Sequence, residues 1–263
     1  MPGEAAIRLG VFVGLLVVMA SWEALSPRRP DAVHRARRWS ANLAFAIFGG
    51  MVARVAVPGG AAAFAVHAQA QGWGLIAFAG LPLWADILVG ILALDLAIYF
   101  QHRIFHRVPA LWTLHRMHHS DTMFDTTTGV RFHPLEIGLS LAIKLVVIAA
   151  TGAPPEAVFA FEVLLNASSL FNHANVRIPA RLESGLRKIL VTPDMHRIHH
   201  SARREETDSN FGFSVSWWDR LFGTYRAEPV DGQLGLTIGL AEFRDPADQR
   251  LLPLLLQPFR RAQ

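Results

Sequence analysis

Residues 83–119 read LWADILVGILALDLAIYFQHRIFHRVPALWTLHRMHH, and this stretch decides the architecture of the chain. Its first part, Leu83–Phe100, is apolar apart from two aspartates and is long enough to cross a bilayer as a helix. Its second part contains five histidines between positions 102 and 119. Imidazole is a ligand for iron, zinc, copper and nickel. The stretch therefore predicts a membrane-spanning helix that leads directly into a metal site.

The composition of the whole chain supports a membrane protein. Of its 263 residues, 52% are hydrophobic and only 17% are charged, whereas soluble domains carry about a quarter charged residues. The absence of cysteine excludes disulfides, iron–sulfur clusters and cysteine-ligated zinc. The net charge of +4 is modest and no basic run alternates with aromatic residues, so we expect no nucleic-acid partner.

Five segments are apolar enough over sufficient length to be predicted as membrane spans. The first should be retained, because no basic segment precedes it and no clear cleavage site follows it. Five arginines lie in the connection after it, whereas the second connection, Gly59–Gly72, carries no charge. The positive-inside rule then puts the N-terminus outside and the histidines on the cytoplasmic side. The predicted spans are Ile7–Leu25, Asn42–Pro58, Leu83–Phe100, Leu135–Gly152 and Pro155–Phe171.

The predicted fold is an all-α integral membrane bundle of about five spans with a cytoplasmic, histidine-rich helical cap. We predict four parts in the chain. Residues 1–101 hold spans one to three, and residues 102–134 hold the first histidines. Residues 135–172 form a hairpin of two spans, and residues 173–263 form the rest of the cap with the C-terminal tail.

Ten of the twelve histidines fall into groups whose spacing suits metal binding. Residues at i, i+3 and i+4 share a helix face, so the pair at 102 and 106 can reach one metal. In each His-x2-His-His group the first and last imidazoles share a face, and the middle one is offset toward a neighbour. Grouping so many ionisable side chains beside a bilayer is costly unless they bind something. We interpret His34 and His67 as ordinary solvated side chains, and the ten candidate ligands are His102, His106, His115, His118, His119, His133, His173, His196, His199 and His200.

This pattern resembles the fatty acid hydroxylase/sterol desaturase superfamily of integral-membrane di-iron enzymes. That superfamily has one His-x3-His group followed by two His-x2-His-His groups, and all three occur here in order. The resemblance extends from about Leu83 to Tyr225, roughly half of the chain. Gln101 stands beside Phe100 where an aromatic pair including tryptophan is common. Further stretches that resemble the superfamily are Asp95–Arg103, Leu111–Trp112, Arg131–Glu136, Thr192–Pro193, Asn210–Gly212 and Trp218–Thr224.

The resemblance implies two iron ions, held by the three histidine groups, and O2 as co-substrate. It also implies oxidation of C–H bonds in a membrane lipid such as a fatty acyl chain or a sterol-like substrate. His173 matches an additional histidine of the superfamily, and His133 matches its position in the Arg-x-His-Pro-Leu-Glu segment. No catalytic side chain separate from the metal ligands is implied. Zinc would fit the same nitrogens but lacks redox chemistry, and hydroxylation and desaturation both stay open.

Other polar residues near these groups are candidates to orient the imidazoles by hydrogen bonds. The same residue types also serve as helix caps and turn formers. The candidates are Asp95, Asn172, Asn175, Asp194, Asp208 and Asp219.

The electrons for such a reaction must come from a separate protein. The chain has neither a Gly-x-Gly-x-x-Gly fingerprint nor cysteines for an iron–sulfur centre. A reductase, a ferredoxin or a cytochrome is therefore expected as partner. The location expected is a bacterial cytoplasmic membrane. The lipid, the donor and the oligomeric state stay open.

A membrane metal-binding or metal-transport protein without oxygenase activity is the alternative function. Transport favours ligands within the spans, along a path across the bilayer. The predicted ligands instead lie at one side of the membrane, which favours the oxygenase.

Overall fold

The fold is taken from a computed structural model, which describes residues 3–30, 35–76 and 79–260. These residues are helical or irregular and contain only isolated β-bridges, so the predicted all-α class is confirmed. The 3-10 helices Thr126–Val130 and Gln257–Phe259 accompany the α-helices in the described residues. The α-helices are α1 Glu4–Leu25, α2 Arg35–Ala56, α3 Gly60–Ala70, α4 Leu83–Arg107, α5 Pro109–His119, α6 Pro134–Thr151, α7 Pro155–Asn172, α8 Ala180–Leu186, α9 Pro193–His199, α10 Arg204–Thr207, α11 Trp217–Leu221, α12 Gly232–Gly235 and α13 Leu251–Leu256.

Four helical segments of the described chain are long and apolar enough to cross a membrane. They are α1, the segment Arg35–Ala70 made of α2 with α3, α4 and α6. The fifth predicted span forms α7 but is less apolar than these four. α7 packs against α1, α3 and α4, and its Glu162 forms ion pairs with Arg8 and Lys144. A helix enclosed by others carries polar residues that a lipid-facing helix excludes. The division of the chain into four parts stays a prediction.

Prolines and a glycine set the helix ends that position the histidines. Pro109, Pro134, Pro155 and Pro193 each begin a helix, where the fixed φ of proline suits the first turn and its missing N–H costs nothing. Gly152 ends α6 with φ 69°, a left-handed conformation that glycine adopts without strain. The short turn that follows reverses the direction of the chain, so that the start of α6, with Glu136 on His115, and the end of α7, with His173, both lie at the histidine end of the bundle.

A buried ionic network fixes the connection that follows α5. Arg38 of α2 donates to Asp121 and to Asp125, at 2.7 Å in each case. Arg131 donates to the Met117 carbonyl at 2.9 Å, and all of these side chains are buried. Paired and hydrogen-bonded buried charges hold a unique geometry, since breaking one partner leaves an uncompensated charge. The network therefore ties α2 to the end of α5, where three of the histidines lie.

Candidate metal centre

Nine buried histidines form two adjacent groups at one end of the bundle. Within each group, one nitrogen from every residue lies within 4.8 Å of those of the others. We call them the first and the second histidine group. The first group is His102, His106, His115, His119 and His199, and the second is His118, His173, His196 and His200.

Three helices and one helix cap deliver these side chains. The last turns of α4 carry two of them, α5 carries three, and α9 with its C-cap residue carries three more. His173 is the C-cap residue of α7. In both His-x2-His-His groups the first and last histidines enter one group and the middle histidine enters the other. This division agrees with the i, i+4 spacing in the sequence.

The hydrogen bonds of the first group show which nitrogens point inward. Nδ1 of His102 lies 2.9 Å from the Phe211 carbonyl, and Nδ1 of His199 lies 2.7 Å from the Ser209 carbonyl. A carbonyl oxygen only accepts, so each Nδ1 carries the proton and each Nε2 keeps a lone pair. The two Nε2 atoms nevertheless lie 2.9 Å apart. No hydrogen bond joins two lone pairs, whereas a shared cation satisfies both.

The second group has the same geometry around His173. Its Nδ1 donates to the Ser169 carbonyl at 2.8 Å, which leaves a lone pair on Nε2. The Nε2 atoms of His118, His196 and His200 lie 3.1–3.2 Å from it. Nitrogens about 3 Å apart are what a metal with bonds of roughly 2.0–2.1 Å to imidazole requires of adjacent ligands. Both groups therefore fit a metal ion bound through Nε2 atoms.

Two carboxylates orient histidines of the first group directly. Nδ1 of His115 donates to Oε1 of Glu136 at 2.7 Å, and Nδ1 of His106 donates to Oδ1 of Asp208 at 3.2 Å. Asp208 was among the predicted orienting residues. Glu136 was not, although the Arg-x-His-Pro-Leu-Glu segment that contains it was one of the stretches resembling the superfamily. A histidine bound to a carboxylate keeps a fixed tautomer and ring orientation.

Asp219 acts on a histidine through the main chain. Its carboxylate accepts the N–H groups of Phe211 and Gly212, each at 2.7 Å. The Phe211 carbonyl in turn accepts from His102. Burial raises the pKa of Asp219 to about 6. Asp219 thus positions the carbonyl that positions His102.

The other four predicted orienting residues bind protein groups other than the imidazoles. Asp95 accepts from the Trp218 indole at 2.8 Å, and Asn172 donates to a main-chain carbonyl. Asn175 binds the main chain of the connection after α1, and Asp194 accepts from two arginines. These residues hold the loops around the centre together.

His133 lies outside both groups, contrary to its prediction as a ligand. It caps the N-terminus of α6, where its Nδ1 accepts the N–H of Leu135 at 3.2 Å. Its Nε2 lies 3.1 Å from the Leu255 carbonyl. Both ring nitrogens are therefore used by the main chain. His67 lies in α3 against Trp73, away from both groups, and His34 lies outside the described residues.

Burial keeps six of the clustered imidazoles outside the spans neutral. It lowers the pKa of His199 to about 3 and that of His173 to about 4, and it lowers the pKa values of four others well below the ordinary value. Neutral imidazole is the form that binds metal. These four also have an Nδ1 atom without a hydrogen-bond partner among the described residues, and they are His118, His119, His196 and His200.

An apolar cavity of about 740 Å³ opens beside the centre. It lies among α1, α2, α4, α6 and α7, and most of its wall is aliphatic or aromatic. His102 and His115 of the first group and His118 of the second group also line it. A hydrocarbon chain in this cavity would lie next to both groups and away from water.

The chain is similar in sequence to several known proteins. The chain is 28% identical over 183 residues to ornithine lipid hydroxylase OlsE of Rhizobium tropici, an alignment that covers 68% of this chain and 52% of that protein. It is 32% identical over 154 residues to human alkylglycerol monooxygenase, covering 59% of this chain and 33% of that protein. It is 29% identical over 177 residues to the very-long-chain aldehyde decarbonylase GL1-1 of Oryza sativa subsp. indica, covering 62% of this chain and 28% of that protein.

The chain thus spans about half of the first of these relatives and about a third of the second. No solved structure shows a significant match. The family model described as fatty acid hydroxylase matches residues 87–224, just over half of the chain, and this range contains all nine clustered histidines. The chain is an integral membrane protein that belongs to the fatty acid hydroxylase family.

Proposed function

We propose that this protein is a di-iron oxygenase that uses O2 to hydroxylate a C–H bond of a membrane lipid. The observation that carries the proposal is the pair of all-histidine groups beside one apolar cavity. The names of the relatives, an ornithine lipid hydroxylase and an alkylglycerol monooxygenase, favour hydroxylation over desaturation.

The residues of the chain would hold the metals and shield the reaction from water. The nine clustered histidines would be the ligands, whereas His133 would act only as a helix cap. Two bound iron ions would supply the redox chemistry that oxidation of an unactivated C–H bond requires. Phe105 and Phe132 line the cavity beside the histidines, and such apolar walls exclude water and hold a hydrocarbon chain in place.

The cytoplasmic side is the proposed location of the centre. The connection after α1 contacts the histidine end, because Arg28 pairs with Asp194 of α9 at 3.0 Å. Arg38 at the start of α2 reaches Asp121, next to α5. Arginine-rich connections remain in the cytoplasm, and we propose a bacterial cytoplasmic membrane. Electrons would come from a separate reductase, ferredoxin or cytochrome on that side.

Metal transport has no comparable support. The nine clustered histidines are buried at one end of the bundle, whereas a transporter places its ligands near the midplane of the bilayer.

The first experiment measures the iron content of the protein after anaerobic purification in detergent. The wild type should hold two irons per chain. His102→Ala should weaken the first site and His173→Ala the second, whereas His67→Ala and His133→Ala should keep both. Incubation with 18O2, an electron donor and membrane lipids should then give a lipid product that contains one 18O atom.

The opposite results would contradict the proposal. If the wild-type protein bound no iron when iron was supplied, the proposed di-iron centre would be refuted. If the protein held two irons but gave no labelled product with extracted bacterial lipids and several electron donors, the proposed hydroxylase activity would be refuted. Iron loss in His133→Ala equal to that in His173→Ala would show that the ligand assignment is wrong.

A further inference from the structure

We propose that the lipid enters the cavity sideways from the bilayer, through an opening between α1 and α2. This inference rests on the proposed function and makes it more specific, because the substrate must then be a lipid that resides in the membrane. A fatty acid delivered on a soluble carrier would need an entrance from the cap instead.

The helices α1 and α2 form a large part of the cavity wall. Leu9 and Phe12 belong to α1, and Ala46, Ile47 and Gly50 belong to α2. Both helices lie before residue 87, where the match to the family begins. The family model thus accounts for the metal end of the cavity, and the N-terminal helices shape the part that faces the substrate.

Two large apolar residues mark the opening, because they line the cavity and are also largely exposed. They are Leu9 on α1 and Ile47 on α2, each 63% exposed. Both lie in segments long and apolar enough to cross a membrane. Their exposed surface therefore faces the hydrocarbon of the bilayer, and apolar side chains at a lipid-facing opening admit acyl chains but exclude water.

The opening is built into the packing of the bundle. α1 packs on α7, where Arg8 pairs with Glu162. α2 packs on α6, where a Cβ atom added to Gly49 would lie 3.2 Å from Ile137. Both helices pack on the 3-10 helix Thr126–Val130 near the histidines. Each helix is therefore fixed on its own neighbour, and the space between them leads from the bilayer to the metal groups.

The chemistry of the lining indicates which part of the lipid enters. Its polar side chains other than histidine are Gln101, Ser140, Glu136, Asn166 and Ser169, and the remaining wall is apolar. Gln101 and Ser140 bind each other at 2.7 Å, and none of the described lysine, arginine or aspartate residues lines the cavity. Moving a charged headgroup into such a space is costly. The acyl chain therefore enters, and the headgroup stays at the membrane surface.

A matched pair of glycine substitutions tests the route. Gly50 lines the cavity and Gly14 of α1 does not. Both are exposed helix residues, and a Cβ atom added to either meets no other atom within 4 Å. Gly50→Phe should fill the opening, whereas Gly14→Phe should only enlarge the lipid-facing surface.

The probe is a phosphatidylcholine with a photoreactive diazirine in one acyl chain, mixed into nanodiscs with the iron-loaded protein. Mass spectrometry then locates the cross-links. In the wild type, cross-links should include the cavity residues Phe105 and Phe132. Gly50→Phe should reduce them about tenfold, as expected when an added side chain must be displaced, and Gly14→Phe should leave them unchanged.

A reversible closure keeps the test independent of folding. The chain has no cysteine, so Leu9→Cys with Ile47→Cys introduces the only two thiols. A cleavable bis-maleimide that joins them should abolish labelling of the cavity, and cleavage should restore it.

Iron content separates this inference from the proposed function. Unchanged cavity labelling in both closed proteins, with two irons still bound, would overturn the sideways route and leave the oxygenase intact. Cavity labelling by a photoreactive acyl thioester but never by the phospholipid would also overturn it. A wild type without iron would instead refute the proposed function, whatever the labelling shows.

Discussion

Replacing Glu136 should weaken the metal of the first histidine group selectively. Glu136 lies in the first turn of α6 and accepts from Nδ1 of His115 at 2.7 Å, with both side chains buried. The bond holds the imidazole so that its Nε2 lies 3.2 Å from that of His119. Loss of such a partner costs roughly 10–100-fold in metal affinity, which corresponds to about 1.4–2.7 kcal/mol.

Two substitutions of Glu136 should reduce the metal affinity by different amounts within this range. Glu136→Gln keeps an oxygen acceptor but loses the charge, and hydrogen bonds to charged groups are about twice as strong as neutral ones. We therefore expect a loss of about tenfold for Glu136→Gln and about a hundredfold for Glu136→Ala. Glu156→Gln is the matched control, because Glu156 lies in the first turn of α7 and is exposed.

The assay is a competition between the protein and a chelator for Fe(II), carried out anaerobically in detergent. Metal content at each chelator concentration gives two affinities in the wild type. Only the affinity of the first histidine group should fall in the Glu136 variants. If both variants kept the affinities of the wild type and of Glu156→Gln, the orienting role of this hydrogen bond would be refuted.

Three further predictions follow from other parts of the site. Asp219→Asn places an amide N–H against one of two main-chain donors, the N–H of Phe211 or the N–H of Gly212. Because that donor loses its acceptor, the free energy of unfolding should fall by about 1–3 kcal/mol, as measured in a denaturant titration. A Cβ atom at Gly129 would lie 2.3 Å from the Ser169 carbonyl that accepts from the second histidine group. Gly129→Ala should therefore lose one iron, whereas Gly138→Ala, whose Cβ atom meets its nearest neighbour at 3.6 Å, should keep both. Burial lowers the pKa of His199 to about 3, so below pH 6.5 the unfolded state binds a proton that the folded state does not. Metal-free protein should thus lose roughly 2 kcal/mol per such histidine between pH 7 and pH 5, measured by urea titration, and metal-loaded protein should lose less.

The helices followed from the length of the apolar runs, and the division of the histidines followed from their spacing. Long apolar runs predicted α1, α2, α4 and α6, since a helix satisfies the main-chain hydrogen bonds of such a run within the segment itself. The i, i+4 relation separated the middle histidine from the outer two in both His-x2-His-His groups. These features depend on local sequence, so the sequence was sufficient to predict them.

α7 shows what apolar length alone does not reveal about a predicted span. It was predicted as a span, but its position among α1, α3 and α4 permits a composition less apolar than that of the lipid-facing helices. Glu162 is paired with Arg8, which lies 154 positions away in the sequence. A pairing over this distance leaves no local pattern, so the sequence could not show which basic side chains would pair with Glu162.

His133 shows that local sequence is also insufficient to identify every metal ligand. Its neighbours resemble the superfamily, yet its ring nitrogens bind the main chain at the start of α6 and near the end of α13. His173 has equally little local context, but it caps α7 where that helix reaches the second histidine group. Whether such a histidine can reach a metal depends on where its helix ends in space. The spacing of residues along the chain does not give this position.

The segment from Ser209 to Gly212 explains why part of the site has no side-chain signature. Two carbonyls in it, those of Ser209 and Phe211, accept from His199 and His102. Asn210 lies between them with φ 53°, a left-handed conformation that asparagine tolerates better than most residues. Its side chain donates to the carbonyls of Met195 and Arg226, each at 3.0 Å, and so fixes the turn. The turn at Asn210 therefore aims the carbonyls on either side of it at imidazoles on two different helices. This role depends on the conformation of the turn and not on the side chains of the two residues that accept the bonds.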